Sequence, residues 1–260
     1  MRDAVARFSE IVEKPEEDID LDRAVLAIAA GAEPDLDIDF WLLKLDEFAS
    51  GVATLKDLTD RLFNQLGFRG DTSSYGDPQN SLLPRVIERR RGIPISLSVL
   101  MMEVGRRAGI PLEGIGMPGH FLVRSVATGD YLDPFNMGEV LDLHGCEERF
   151  RAASGMPPEV EFGPEMLPVV SKLQILTRML NNLQQTYRAA INGADLEWVV
   201  RMKTSIPGSS PEEVVTLARA LVLQGRVTDG AAEVEAAAER HPALRDGLLT
   251  VARALRASLN

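Results

Sequence analysis

A hydroxyl, an imidazole and a carboxylate follow one another through the middle of the chain: Ser96 in "RRGIPISLSVL", His120 in "PGHFLVR" and Asp133 in "YLDPF". These are the parts of a nucleophilic triad, in which serine attacks a carbonyl, histidine takes its proton and aspartate orients the ring. Pro94 suits the first position of a helix, which puts Ser96 at the third. There, unpaired backbone N–H groups and the positive end of the helix dipole stabilise negative charge. That setting favours a thiolate or an oxyanion strongly, whereas an alkoxide is a much harder species to form. Each residue also has a plainer reading. Ser96 is a polar residue that suits a helix start, His120 a turn residue after Pro118 and Gly119, and Asp133 a turn or cap residue before Pro134.

Positioning these groups requires a helix beginning at Pro94 and a hairpin. "HFLVRSV" (120–126) and "DYLDPF" (130–135) read as strands separated by "ATG". A loop of Ser125–Thr128 places Arg124 opposite Gly129 and His120 opposite Asp133 on one face of the sheet. Changing the loop by one residue moves the two to opposite faces.

Other chemistry-bearing groups are less well set. "HGCEER" gathers His144, Cys146 and Glu147, but a metal site needs further ligands, and the stretch reads as a surface loop. Cys146 as a nucleophile requires His120 nearby in space. The run Arg89, Arg90, Arg91 suits either a carboxylate or phosphate, or the last turn of a helix stopped by Gly92.

The rest of the chain is mostly helical. Up to residue 67 short amphipathic helices are each closed by a glycine, at Gly31, Gly51 and Gly67, and Thr54 with Asp57 forms a start cap. Residues 68–80 read as a loop. From Leu167 onward the pattern is helical again, with a start at Ser210 as cap, Pro211 at the first position and Glu213 closing a capping box, and a second helix over 228–240. Ala218, Gly225, Ala231, Ala238 and Pro242 suit a tetratricopeptide-type hairpin of about 34 residues. An ordinary helical bundle fits the same pattern.

With 260 residues, 45% of them hydrophobic, the chain can bury one large core or two smaller ones. A net charge of −11 argues against a grip on nucleic acid phosphates or anionic lipid, and favours a basic or small neutral partner. Neither an apolar signal core nor a run of membrane-spanning length is present, so the expected location is cytoplasmic, with no membrane contact. The single cysteine excludes an intrachain disulfide and a Cys-rich zinc site, and no cofactor is expected.

The segment "NSLLPRVIERRRGIPISLSVLMMEVGRRAGIPLEGIGMPGHFLVR", followed by "YLDPF", resembles the SirB-type transglutaminase-like proteins, and the likeness extends over roughly residues 5–240. The resemblance implies an α+β fold: a papain/transglutaminase-like core with a small antiparallel sheet and many helices over residues 1–165, then an all-α tetratricopeptide-like tail over 166–260. It aligns His120 and Asp133 with the family's histidine and aspartate, and puts Ser96 where active members carry cysteine. Three functions are compatible with that departure. The first is a degenerate enzyme that binds a peptide or protein partner in the old cleft. The second is a serine-dependent amide or ester hydrolase or acyltransferase using Ser96, His120 and Asp133. The third is a structural helical adaptor.

Overall fold

Pro94 fixes a backbone angle suited to a first helical turn and lacks the N–H that would otherwise go unpaired there. Helix α6 accordingly runs Pro94–Arg107 with Ile93 as its cap residue. Its residues from Pro94 to Met101 are all buried, so it is a central helix rather than a surface one. In the computed structural model, which describes residues 2–258, α3 (Ile38–Ala49), α5 (Leu83–Arg89) and the sheet pack against α6.

That sheet is an antiparallel meander of β3 (Leu112–Ile115), β4 (Leu122–Ser125), β5 (Tyr131–Asp133) and β6 (Glu139–Leu141), in the order β3-β4-β5-β6. The β4–β5 register pairs Arg124 with Tyr131, not with Gly129. The Ser125 N–H donates to the Asp130 carbonyl, so the loop is Val126–Gly129, the expected length displaced by one residue. Gly129 lies at φ 79, a left-handed turn conformation, so pairing begins after it. Both sides move together, which preserves the face that each side chain occupies. His120 itself falls just before β4 rather than within a pairing strand. A separate two-residue parallel pairing joins β1 (Arg69–Gly70) to β2 (Arg91–Gly92), within and beyond the stretch read as loop.

Thr54 and Asp57 form the expected capping box at the start of α4 (Leu55–Thr59). Gly51 and Gly67 both lie at φ 74, beyond the last helical residues before them. Two other glycines do not stop helices. Gly31 lies inside α2 (Leu21–Ala32), where a Cβ would come within 2.4 Å of the Trp198 ring. After α5 it is Arg90 that turns left-handed, at φ 56, while Gly92 pairs in β2.

By contacts the chain divides into two compact units, neither continuous in sequence. One comprises Asp20–Leu26 and Asp37–Met179 and contains α6 and both sheets. The other holds the residues up to Ile19, Ala27–Leu36 and the residues from Leu180 onward. In this second unit α1 (Arg2–Val12) packs on α9 (Gly193–Ser205), and α10 (Glu213–Leu223), α11 (Val227–Arg240) and α12 (Arg245–Ala257) follow. Helix α10 starts later than the Ser210–Pro211 pattern predicts. The Glu213 carboxylate accepts from Lys203 Nζ at 2.6 Å instead of closing a capping box, and the Ser210 Oγ accepts from the Glu212 N–H. Among the described residues no helix is long and apolar enough to cross a membrane.

Candidate functional site

Asp133 is the last residue of β5 and also the cap of the short 3-10 turn Pro134–Asn136. Its Oδ1 accepts from the Phe135 N–H at 3.1 Å, and its Oδ2 from Asn136 Nδ2 at 2.6 Å and Arg149 Nε at 3.0 Å. His120 Nε2 lies 3.0 Å from Oδ1. Both residues are buried, Asp133 completely. Burial alone would raise the Asp133 pKa. Hydrogen bonds and charges from His120, Asn136 and Arg149 outweigh it and hold the carboxyl below its ordinary range. An ionised Asp133 fixes the proton of a neutral imidazole on Nε2, which leaves Nδ1 as the basic nitrogen, an assignment made from the hydrogen-bond network.

The histidine is held from three further sides. Its main-chain N–H donates to the Met117 carbonyl at 3.2 Å, and Arg178 Nη2 donates to the His120 carbonyl at 2.6 Å. Phe135 meets the imidazole edge-on with centroids 6.0 Å apart, and Tyr75 meets Phe135 in the same manner at 6.1 Å.

Ser96 occupies the third position of α6 and is fully buried. Its hydroxyl donates to the Asn80 carbonyl at 2.6 Å, and its oxygen accepts from the Ile93 N–H at 3.1 Å, closing the first turn of the helix. Among the described residues its hydrogen bonds run to Asn80 and Ile93, and none runs to His120. Gly92 makes room for this oxygen, since a Cβ there would lie 2.7 Å from it. The structure thus joins His120 to Asp133 and gives the Ser96 hydroxyl to the backbone.

Asn80 belongs to the turn Pro78–Ser81, which is fastened in place by its own polar groups. Asn80 Nδ2 donates to the Ser74 carbonyl at 2.8 Å, and the Asp71 carboxylate accepts from Ser73 and Ser74. Arg89 bridges Asp71 and Asp77 at 3.3 and 3.2 Å. Asn80, Asn136, Arg149 and Arg178 escaped the reading of the sequence. A signal for two of them exists in the repeated pattern Asp-Pro-x-Asn, "DPQN" at 77–80 and "DPFN" at 133–136. In each the aspartate caps a 3-10 turn, accepting from the Gln79 N–H or the Phe135 N–H.

The remaining candidates resolve differently. "HGCEER" is not a surface loop but part of α7 (Leu143–Ala153), capped by Asp142, which accepts from the Gly145 N–H at 2.8 Å. Cys146 is buried among Ile115, Met117, Leu122 and Phe150. Burial, with the charges of Asp142 and Asp133, pushes its thiol up to about 11, the opposite of nucleophile activation. His144 is exposed and lies 3.6 Å from Glu148. Among the described residues no group of three or more His, Cys, Asp or Glu side chains could hold a metal ion. Arg89 is committed to its two aspartates, and Arg90 lies over the Phe48 and Phe68 rings at 5.2 and 4.6 Å.

A central helix whose N-terminal turn holds a small polar side chain, beside a short antiparallel sheet carrying a buried histidine–aspartate pair, defines an α+β protein of the transglutaminase-like class. The chain belongs to the transglutaminase-like superfamily, which matches residues 19–181. It is 37% identical over 186 residues to a UPF0162 protein of Xylella fastidiosa, covering 66% of each chain. It is also 37% identical over 146 residues to a UPF0162 protein of Pseudomonas aeruginosa, covering 56% of this chain and 53% of that one. F-box only protein 21 of Mus musculus is 35% identical over 136 residues, 47% of this chain and 20% of its own. The chain thus spans 66% of the Xylella relative's length and about half of the Pseudomonas one. No solved structure matches it.

Proposed function

We propose that this is a SirB-type member of the superfamily that has lost nucleophilic catalysis and binds a peptide or protein partner. The observation that carries this reading is the Ser96 hydroxyl, which donates its hydrogen bond to the Asn80 carbonyl rather than to an imidazole. A cysteine thiol at a helix start has a pKa of about 8.5 or lower and ionises readily beside a histidine. A serine hydroxyl needs its base in direct hydrogen-bond contact. With the hydroxyl engaged elsewhere, the His120–Asp133 pair acts as a polar brace between the start of β4 and the end of β5. Intact-mass spectrometry after incubation with a fluorophosphonate and with an activated acyl ester tests the reading. No adduct forms on Ser96 if it holds. An adduct on Ser96 that vanishes in His120→Ala overturns it.

The 3.0 Å contact of His120 with Asp133 favours a second reading, a serine-dependent amide or ester hydrolase or acyltransferase. There Ser96 attacks, His120 Nδ1 takes the proton, Asp133 orients the ring and N–H groups at the start of α6 hold the oxyanion. This mechanism requires the Ser96 side chain to leave Asn80 first.

The same proposal treats α10–α12 as a tetratricopeptide-like unit. In support, α10 and α11 share a core rich in small side chains, Val214 and Ala218 from one and Val234, Ala237 and Ala238 from the other, and α12 adds Leu248 and Ala252 to it. A cytoplasmic location belongs to the proposal as well.

A further inference from the structure

The residues from Leu180 onward carry a groove of about 410 Å³, within the range of about 300–1,000 Å³ common for recognition sites. Its apolar wall is built from Ile191 after α8 (Lys172–Ala189), Leu196, Val222, Leu223 and Leu255. Arg188 and Arg219 also line it, and no acidic residue does. Thr216 and Arg219 also line a neighbouring recess, but Glu212 and Glu213 line that one too, so the acid-free groove does not extend into it.

Two independent features point to an occupant. Ile191 lies at φ 54, a left-handed conformation that a β-branched residue adopts only under strain, at a helix end where glycine is usual. It is 71% exposed, and Leu223 is 49% exposed, so the fold itself buries little of either side chain. The second feature is charge. In a chain with 39 acidic residues, neither the Arg188 nor the Arg219 side chain has an ion-pair or hydrogen-bond partner among the described residues.

We propose that this groove binds an acidic amphipathic helix of a partner protein. Aliphatic side chains from one face of that helix rest on Ile191, Leu223 and Leu255, and its carboxylates meet Arg188 and Arg219. The whole-chain charge of −11 opposes an acidic partner at long range. At physiological ionic strength charges are screened over about 8 Å, so the two arginines at the contact decide the outcome. The proposal is independent of the reading of Ser96, which lies in the other unit.

The test uses the full chain and fluorescence anisotropy with a labelled helical peptide of about 14 residues, roughly four turns, with leucines on one face and glutamates on the other. A control peptide replaces every glutamate by lysine. The glutamate peptide binds, the lysine peptide does not, and added salt weakens binding. The double variant Arg188→Gln with Arg219→Gln loses roughly tenfold or more in affinity while its melting midpoint stays that of the parent, because both side chains are exposed and unpaired. The proposal is overturned by equal binding of the two peptides, by binding indifferent to the double substitution, or by no binding of the glutamate peptide at about 1 mM. It is equally overturned if light scattering shows a dimer that Leu223→Ser dissociates, since a second copy then occupies the groove.

Discussion

Replacing Ser96 by alanine separates a structural hydroxyl from a catalytic one. The substitution removes the donor to the Asn80 carbonyl at 2.6 Å and the acceptor for the Ile93 N–H at 3.1 Å. Both lie in buried surroundings, since Asn80 is 0% and Ile93 3% exposed. Each orphaned backbone group costs about 1–3 kcal/mol. Alanine returns about 0.5 kcal/mol through its better helix propensity. The void is small, because Gly92 stands directly against the lost oxygen. The expected net loss is about 2–4 kcal/mol, which for a chain of this size lowers the melting midpoint by roughly 5–12 °C. Thermal melts and urea titrations followed by circular dichroism measure it, with the urea slope unchanged. A purely catalytic serine behaves in the opposite sense, because its removal leaves stability unchanged or improves it. A midpoint that shifts by less than about 1 °C, or that rises, therefore refutes the capping role of Ser96.

Asp133→Asn keeps an acceptor but removes the charge that Arg149 and His120 face, and should cost about 2–4 kcal/mol in urea unfolding. A loss below about 0.5 kcal/mol contradicts the brace. Because the folded state holds the Asp133 carboxyl below its ordinary value, that stabilisation is complete above about pH 4 and lost as pH falls through the folded pKa. Melts between pH 6 and pH 2 should show an acid-side decline that is shallower in Asp133→Asn, and identical declines exclude Asp133 as its source. With its thiol raised to about 11 and buried, Cys146 should resist iodoacetamide at pH 8 until the chain unfolds; labelling at the rate of the urea-unfolded chain contradicts this. Ile191→Gly should raise stability by about 0.5–1 kcal/mol, the relief of left-handed strain exceeding the entropy that glycine adds to the unfolded chain. A lower midpoint would show that Ile191 is not strained.

Where a residue's own chemistry decides local structure, the fold is legible in the sequence. Pro94 starts α6 and Thr54 with Asp57 starts α4, because ring closure and capping act within a few residues. The hairpin loop has its expected length, yet its position slips by one because the left-handed Gly129 belongs to the turn. Strands β3 and β6 left no trace, since four and three residues are too few to display alternation. Gly31 misled because its role is tertiary: its missing Cβ admits the Trp198 ring, which a local helix-stop rule cannot see. Glu213 misled for the same reason, as Lys203 outbids the backbone N–H groups for its carboxylate.

The site divides along the same line. His120 and Asp133 are found from spacing because a hairpin turns separation in sequence into proximity, and their contact survives the shifted register. The true partner of Ser96 lies sixteen residues upstream, in a stretch whose composition says only that it is polar. What links the two halves is the turn Asp-Pro-x-Asn, used twice. At 133–136 it aims a carboxylate at an imidazole, and the Asn136 amide returns to Asp133 to keep it in place. At 77–80 it aims a main-chain carbonyl at a hydroxyl, and the Asn80 amide ties back to the Ser74 carbonyl. An acceptor in that second place stabilises a protonated hydroxyl and opposes an anion on the same atom. The two turns together set the His120–Asp133 contact and hold the Ser96 hydroxyl as a donor to the Asn80 carbonyl, away from the imidazole.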